Sequence, residues 1–169
     1  MHSETQAISN DDTGRLRAQP GKYLAFTVAG EAYGVDILRV REIRGWSRAT
    51  RVPGAPDHVL GVLNLRGSIV PVIDMRARFG MELAEPTATT VIIVLCVHGG
   101  SGERDVGVVV DAVSDVFDVA AEALRPAPEF RQDIDVRAIN GIFARENDMI
   151  MLLDIDLLVD SEAITGIDD

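Results

Sequence analysis

The sequence is poor in the residues that build disulfides and metal centres. Its 169 residues include one cysteine, Cys96, and three histidines. A single cysteine excludes a disulfide within the chain and is typical of a reducing compartment. Cys96 stands in an apolar run, which indicates a small core residue. His98 would share its strand face, but two ligands make only half of a zinc site, so we predict no metal ion.

Long hydrophobic runs and an excess of positive charge are also missing. The longest apolar run, residues 91–97, is far shorter than the roughly 20 residues of a membrane helix. The first residues lack the basic start and apolar centre of a signal peptide, so we expect a cytoplasmic protein. Lys and Arg number 16 against 27 Asp and Glu, a formal net charge of -11. Because nucleic acids and anionic membranes attract cationic surfaces, we expect no nucleic-acid partner and no direct membrane binding.

Patterns typical of an active site are not found either. Ser68 and Ser114 lack the G-x-S-x-G context of a nucleophile elbow. The glycine-rich residues 99–102 are not followed by the G-K-[ST] of a phosphate-binding loop. We therefore predict no enzymatic activity and no cofactor, although catalytic groups that converge from distant loops stay open as an alternative.

What the sequence has in abundance is short β-type segments. Runs rich in β-branched residues are separated by Gly, Pro and Asp, and no long amphipathic helix is apparent. The clearest runs are residues 23–28, 68–74, 89–97, 105–110 and 148–155. Strands this short and numerous predict an all-β barrel or sandwich.

The chain also repeats itself. Residues 61–75 align without a gap on residues 141–155, glycine on glycine and apolar position on apolar position. A second match sets residues 34–43 over residues 107–116. A repeat that occurs only twice indicates two small subdomains, since a solenoid needs at least three copies.

The repeat divides the chain into halves near residues 21–83 and 88–159, with roughly five strands each. We predict that each half forms a small barrel and that the apolar surfaces of the two barrels meet along a seam. The matched Asp74 and Asp154 can each N-cap a short helical turn, and Gly80 suits the end of the first.

The two ends of the sequence lack hydrophobic periodicity. We expect residues 1–20 and the acidic residues 161–169 to be mobile tails around one domain at residues 21–160.

A polar hairpin tip interrupts the first matched segment. The sequence N-L-R-G at residues 64–67 lies between two apolar runs, and Gly67 suits a left-handed turn position. Arg66 is then either a solvated turn residue or an element presented for recognition. A motif this short does not decide between these two interpretations.

Five segments, taken in order, resemble the CheW family of chemotaxis coupling proteins: residues 26–45, 61–79, 106–119, 124–130 and 152–159. The likeness runs from Lys22 to Val159. It implies a fold of two SH3-like five-stranded β-barrels in one CheW-like domain, without enzymatic activity. Such an adaptor joins the histidine kinase CheA to the cytoplasmic tips of chemoreceptors in membrane-associated arrays. The alternative is a CheW-like coupling protein of a non-motility chemosensory pathway with different partners, which the sequence does not separate.

The resemblance also implies a groove between the subdomains that receives the helical hairpin of the receptor. Its receptor-binding residues would be Val40, Glu42, Arg66, Val113 and Val116. Its shape would be supported by Gly61, Leu65 and Gly67. The surface for the regulatory domain of CheA would be a separate apolar patch, whose residues we do not identify. The chain departs from the family pattern in a longer polar N-terminal tail and in the loop of residues 98–105.

Overall fold

The computed structural model describes residues 16–100, 102–127 and 138–159. Within these ranges the chain forms eleven strands, which are, in order, β1 (Gly21–Val28), β2 (Glu31–Asp36), β3 (Val40–Gly45), β4 (Val59–Leu65), β5 (Ser68–Asp74), β6 (Val91–Gly99), β7 (Gly102–Val110), β8 (Ala112–Val119), β9 (Leu124–Arg125), β10 (Ile139–Arg145) and β11 (Asp148–Leu153). The strands form a six-stranded sheet of order β8-β1-β2-β11-β10-β9 and a five-stranded sheet of order β3-β6-β7-β5-β4. The predicted all-β fold with two subdomains is confirmed.

Each sheet combines strands from both halves of the repeat. The hairpin β1–β2 joins β8 to β11, and the hairpin β6–β7 joins β3 to β5. The pairing is parallel between β2 and β11 and between β5 and β7, and it is antiparallel between β1 and β8 and between β3 and β6. The prediction that each half forms its own barrel is therefore wrong. Periodicity along a strand identifies which residues face a core, but not which strand lies alongside.

The described residues form three apolar clusters. Tyr23, Phe117 and Ile150 belong to a cluster of the six-stranded sheet, while Leu65 and Ile92 belong to one of the five-stranded sheet. The third and largest cluster takes residues from both sheets, including Phe26, Val35, Ile93, Val108 and Leu153. An apolar seam is thus present, but it lies between the two sheets and not between the halves of the repeat, and it is the main core of the molecule. Each large side chain buried there stabilises the joined sheets by roughly 1.5–3 kcal/mol.

Among the described strands, the chain passes from one sheet to the other twice. The first crossing is the 3-10 turn Ile37–Arg39 between β2 and β3. Arg39 there donates two hydrogen bonds to Asp156, at 3.0 and 2.5 Å, and one to the carbonyl oxygen of Cys96 at 2.6 Å. Asp156 also accepts from the backbone N–H of His98 at 2.8 Å. This ion pair therefore ties the crossing to both sheets.

The second crossing lies at Asp111, between β7 and β8. Its carboxylate accepts two hydrogen bonds from Arg76, at 3.1 and 2.7 Å, and one from the backbone N–H of Ala29 at 2.8 Å. Arg76 occupies the position that matches Asp156 in the repeat. The two crossings are therefore held by similar ion pairs with the charges exchanged.

One helical turn follows the last strand of each half. Met75–Arg78 begins after Asp74, and Ile155–Leu158 begins after Asp154. Each aspartate accepts hydrogen bonds from two backbone N–H groups of its turn, so both predicted N-caps are confirmed. Neither these turns nor any other described helix has the length and hydropathy needed to cross a membrane.

Residues before the predicted boundary at residue 20 pack against the core. Leu16 and Ala18 pack against the core of the six-stranded sheet, and the backbone N–H groups of Arg17 and Ala18 donate to the carbonyl of Asn140. The boundary at residue 20 is therefore wrong, because two apolar side chains are too few to show periodicity. Residues 1–15 and 160–169 lie outside the described residues, and the mobility of the tails stays a prediction there.

We expect Asp111→Asn to lower the free energy of unfolding by about 1 kcal/mol at neutral pH, because it weakens the bonds to Arg76 and Ala29. Hydrogen bonding from Arg76 holds the pKa of Asp111 below its ordinary value of 3.8. The unfolded chain therefore takes up this proton at higher pH than the folded chain. The stabilisation that the ionised Asp111 gives the folded protein is complete above about pH 3.8. It is lost as the pH falls through the lowered pKa of Asp111 in the folded state.

Urea unfolding between about pH 7 and pH 3 measures this difference, which should shrink on acidification. Asp118→Asn is the matched control, because Asp118 pairs with Lys22 where both side chains are mostly exposed. If both variants lose the same free energy of unfolding at neutral pH, the ion pair at the crossing stabilises the protein no more than an exposed ion pair does.

Candidate functional site

The N-L-R-G tip is a tight two-residue turn between β4 and β5. Leu65 pairs with Ser68 across it, and the two central residues have positive φ, 53° at Arg66 and 89° at Gly67. These angles are those of a type I′ turn. The side-chain oxygen of Asn64 accepts from the N–H of Gly67 at 2.9 Å. The left-handed position of Gly67 is as predicted, but Arg66 is left-handed too, at a cost of roughly 1–2 kcal/mol for a residue with a Cβ.

The Arg66 side chain is held by Glu42 on β3. Its guanidinium donates to the Glu42 carboxylate at 2.5 Å, and Arg44 donates to the other carboxylate oxygen at 3.1 Å. The bond from Arg66, helped by that from Arg44, holds the pKa of Glu42 below its ordinary range in spite of some desolvation. The Arg66 side chain is 76% exposed and that of Glu42 only 24%. Glu42 therefore orients a guanidinium that stays accessible.

The apolar residues predicted for the groove are divided between the two sheets. Val40 on β3 and Val113 on β8 are both partly buried against the seam core. Val116 on β8 is half exposed. Glu42 and Arg66 thus form a hydrogen-bonded ion pair, and Val40 and Val113 both pack against the seam core between the sheets. It leaves Val116 as a surface residue of the six-stranded sheet.

Both edge strands that carry these valines are bulged at matching positions. One extra residue is accommodated between Val40 and Glu42 on β3, and another between Val113 and Val116 on β8. A bulge changes the direction in which the following side chains point and increases the local twist. The two halves therefore present their edge strands in the same way.

The second half repeats the ion pair with one difference. Asp115, the match of Glu42, accepts from Arg145 at 3.3 Å. Arg145 stands one position before the match of Arg66, and its guanidinium lies over the ring of Phe117 at 5.2 Å. Its side chain is 32% exposed. Of the two related arginines, Arg66 is the one that stands out into solvent.

Three exposed apolar side chains close to these ion pairs in the chain were not predicted. Ile43 follows Glu42, Ile69 follows the N-L-R-G turn, and Met149 is the match of Ile69 in the second half. The match of Ile43 is Val116, which was predicted. The repeat itself was the signal that could have found them, because each half exposes apolar residues at equivalent positions.

Gly61 and Leu65 shape the base of the hairpin. A Cβ on Gly61 would lie 2.1 Å from the carbonyl oxygen of Thr50, and Thr50 exchanges two backbone hydrogen bonds with Val62. Leu65 is buried in the core of the five-stranded sheet. Gly61 therefore lets the segment after β3 approach β4 closely, which steadies the strand that carries Arg66.

One group within the described ranges has the composition of a metal site. Cys96, His98 and Glu103 bring a thiol, an imidazole and a carboxylate together on the β6–β7 hairpin. Glu103 was not among the ligands considered from the sequence, because it reaches the other two only through strand pairing.

Comparisons with known proteins agree with this architecture. A family model described as the CheW-like domain matches residues 22–163. The chain is 44% identical over 147 residues to the chemotaxis protein CheW of Klebsiella aerogenes, covering 87% of this chain and 86% of the relative. It is 45% identical over 139 residues to that of Rhizobium meliloti, covering 82% and 87%. The crystal structure of the scaffolding protein TtCheW from Thermoanaerobacter tengcongensis superposes with a TM-score of 0.75 at 32% identity, covering 84% of this chain and 94% of the other.

The fold is thus that of a two-subdomain β scaffold. The chain belongs to the CheW-like family, and it is a chemotaxis coupling adaptor. The resemblance found from the sequence is confirmed. The residues that were carried over with it are located here by geometry, and their roles in binding stay predictions.

We expect Gly61→Ala to destabilise the protein by about 3 kcal/mol or more, because its Cβ would overlap the Thr50 carbonyl. Gly67→Ala is the comparison, because nothing lies within 4 Å of a Cβ there and only the left-handed backbone opposes it. The free energy of unfolding of Gly67→Ala should fall by only about 1 kcal/mol. Chemical denaturation measures both values. Equal losses would contradict the close approach at Gly61.

Proposed function

We propose that this adaptor couples chemoreceptors to the histidine kinase CheA, and that the receptor tip binds along Val40, Glu42, Arg66, Val113 and Val116. One observation carries the proposal: Arg66 stands at a hairpin tip, oriented by Glu42 and open to solvent. The chain itself carries no enzymatic activity in this proposal, and it reaches the membrane from the cytoplasm only through its receptors.

The chemistry of these residues suits a helical partner. A receptor tip is an amphipathic helical hairpin, and such a surface is recognised by apolar contacts flanked by charge. The valines supply apolar contact, and Arg66 can donate to a carboxylate or to the free carbonyl groups at a helix end. Because Glu42 already orients the guanidinium, less side-chain freedom is lost on binding.

The exposed arginine distinguishes this turn from the related one. Asparagine or glycine would occupy the left-handed position of Arg66 at lower cost. Glu146 at the related position of the second half also has positive φ, so the backbone strain belongs to both turns. The exposed guanidinium of Arg66, and not its backbone, is what supports a role in recognition.

CheA would bind elsewhere on the protein through its regulatory domain, on a surface whose residues stay unidentified. With receptor and kinase held in a defined relation, a small movement of the receptor shifts the conformational equilibrium of the kinase. A non-motility pathway is not favoured as the alternative, because the relatives at 44 and 45% identity are chemotaxis proteins.

We expect Arg66→Asn to weaken receptor binding about tenfold to a hundredfold, the worth of a lost charge-assisted contact. The variant creates an Asn-Gly turn, which favours the same backbone, so its stability should equal or exceed that of the wild type. Binding to a receptor cytoplasmic fragment and to the CheA-like kinase of the same organism would be measured separately by calorimetry.

Glu146→Asn is the matched control, since it places the same residue at the equivalent left-handed turn position of the other half. It should leave receptor binding unchanged. Kinase binding should survive in both variants. Wild-type affinity of Arg66→Asn for the receptor would mean that Arg66 is only a solvated turn residue, and the groove would have to be placed elsewhere.

A further inference from the structure

The β6–β7 hairpin brings together three side chains that the proposed coupling function does not use. Cys96 and His98 are two residues apart on β6, so they share a face of the strand. Glu103 on β7 is the cross-strand partner of His98.

The three side chains are close enough to bind one ion. The Cys96 sulfur, a His98 ring nitrogen and a Glu103 oxygen all lie within 4.8 Å of one another, and Nε2 of His98 is 3.4 Å from Oε2 of Glu103. Ligand atoms at normal bond lengths on a tetrahedral zinc ion are about 3.5 Å apart. The side chains of His98 and Glu103 are 50% and 63% exposed, so small rotations close the remaining gap.

A cationic side chain, that of Arg41, already lies against the cluster. Nη2 of Arg41 is 3.3 Å from the Cys96 sulfur and 3.7 Å from Oε1 of Glu103, and its Nε is 3.4 Å from Asp105. A thiolate and a carboxylate together carry two negative charges, which match those of a divalent ion. Arg41 is about half exposed, so it can leave the sulfur when a metal ion binds.

We propose that this hairpin binds Zn²⁺ through Cys96 Sγ, the His98 imidazole and the Glu103 carboxylate, with water as the fourth ligand. A thiolate and an imidazole select zinc over the hard cations Mg²⁺ and Ca²⁺. The buried Cys96 gives a rigid anchor, while His98 and Glu103 face the solvent from which the ion enters.

Co²⁺ tests the geometry because its spectrum reports its ligands. It would be titrated into the metal-free full chain, without added histidines, followed by displacement with Zn²⁺. We expect one Co²⁺ per chain, a thiolate-to-cobalt charge-transfer band and the intense visible bands of tetrahedral cobalt. Cys96→Ser should abolish the charge-transfer band. His98→Ala and Glu103→Gln, both at exposed positions, should each weaken Zn²⁺ binding tenfold or more while the thermal unfolding of the metal-free protein is unchanged.

His2→Ala and Glu122→Gln are the matched controls, one histidine and one exposed carboxylate outside the cluster. Neither should change the affinity for Zn²⁺. An octahedral cobalt spectrum without a thiolate band would overturn the proposal. So would Zn²⁺ binding that is lost in His2→Ala but kept in His98→Ala, or a metal-free protein that binds no Zn²⁺ at micromolar concentrations.

Discussion

The fold depends on the apolar seam between its two sheets, and two ion pairs hold the chain where it crosses from one sheet to the other. Arg39 with Asp156 and Asp111 with Arg76 each join a crossing segment to the helical turn that ends a half of the repeat. Each carboxylate also accepts a backbone N–H from a neighbouring hairpin or strand end, His98 in one case and Ala29 in the other. Apolar burial supplies most of the stabilisation and is non-directional. The hydrogen bonds of the ion pairs have direction, so they add a preferred geometry at each crossing.

The positions of the edge strands that carry the proposed groove depend on the two crossings. β3 begins immediately after the first crossing and β8 immediately after the second, and Val40 and Val113 pack on the core between the sheets. The repeat makes the two edges alike, down to the bulge and the arginine–carboxylate pair. The two edges differ because the arginine stands one position earlier in the second half of the repeat. Arg66 lies in the turn, whereas Arg145 lies at the end of its strand with its guanidinium over Phe117. The two similar edges therefore present their guanidinium groups in different places.

Much of the fold and part of the site could be predicted because they depend on local physics. Strand positions follow from β-branched runs, the caps at Asp74 and Asp154 from side chains that reach their own backbone, and the left-handed Gly67 from turn geometry. The sheet membership of each half could not be predicted, because pairing of β2 with β11 and of β5 with β7 involves residues far apart in the chain. The orientation of Arg66 by Glu42 was hidden for a related reason, since the bond between them spans 24 positions.

The sequence by itself determined that this is an all-β, duplicated chain of the CheW-like family, with Arg66 at a hairpin tip, because periodicity, repeats and motifs are properties of order along the chain. Only the tertiary structure decided that the halves exchange hairpins, that Glu42 orients Arg66, and that Glu103 joins Cys96 and His98. These three outcomes have one physical reason. Contacts between strands depend on which edges find complementary partners in three dimensions, and a hydrogen bond or a shared ion links side chains by distance in space, whatever their separation in the chain.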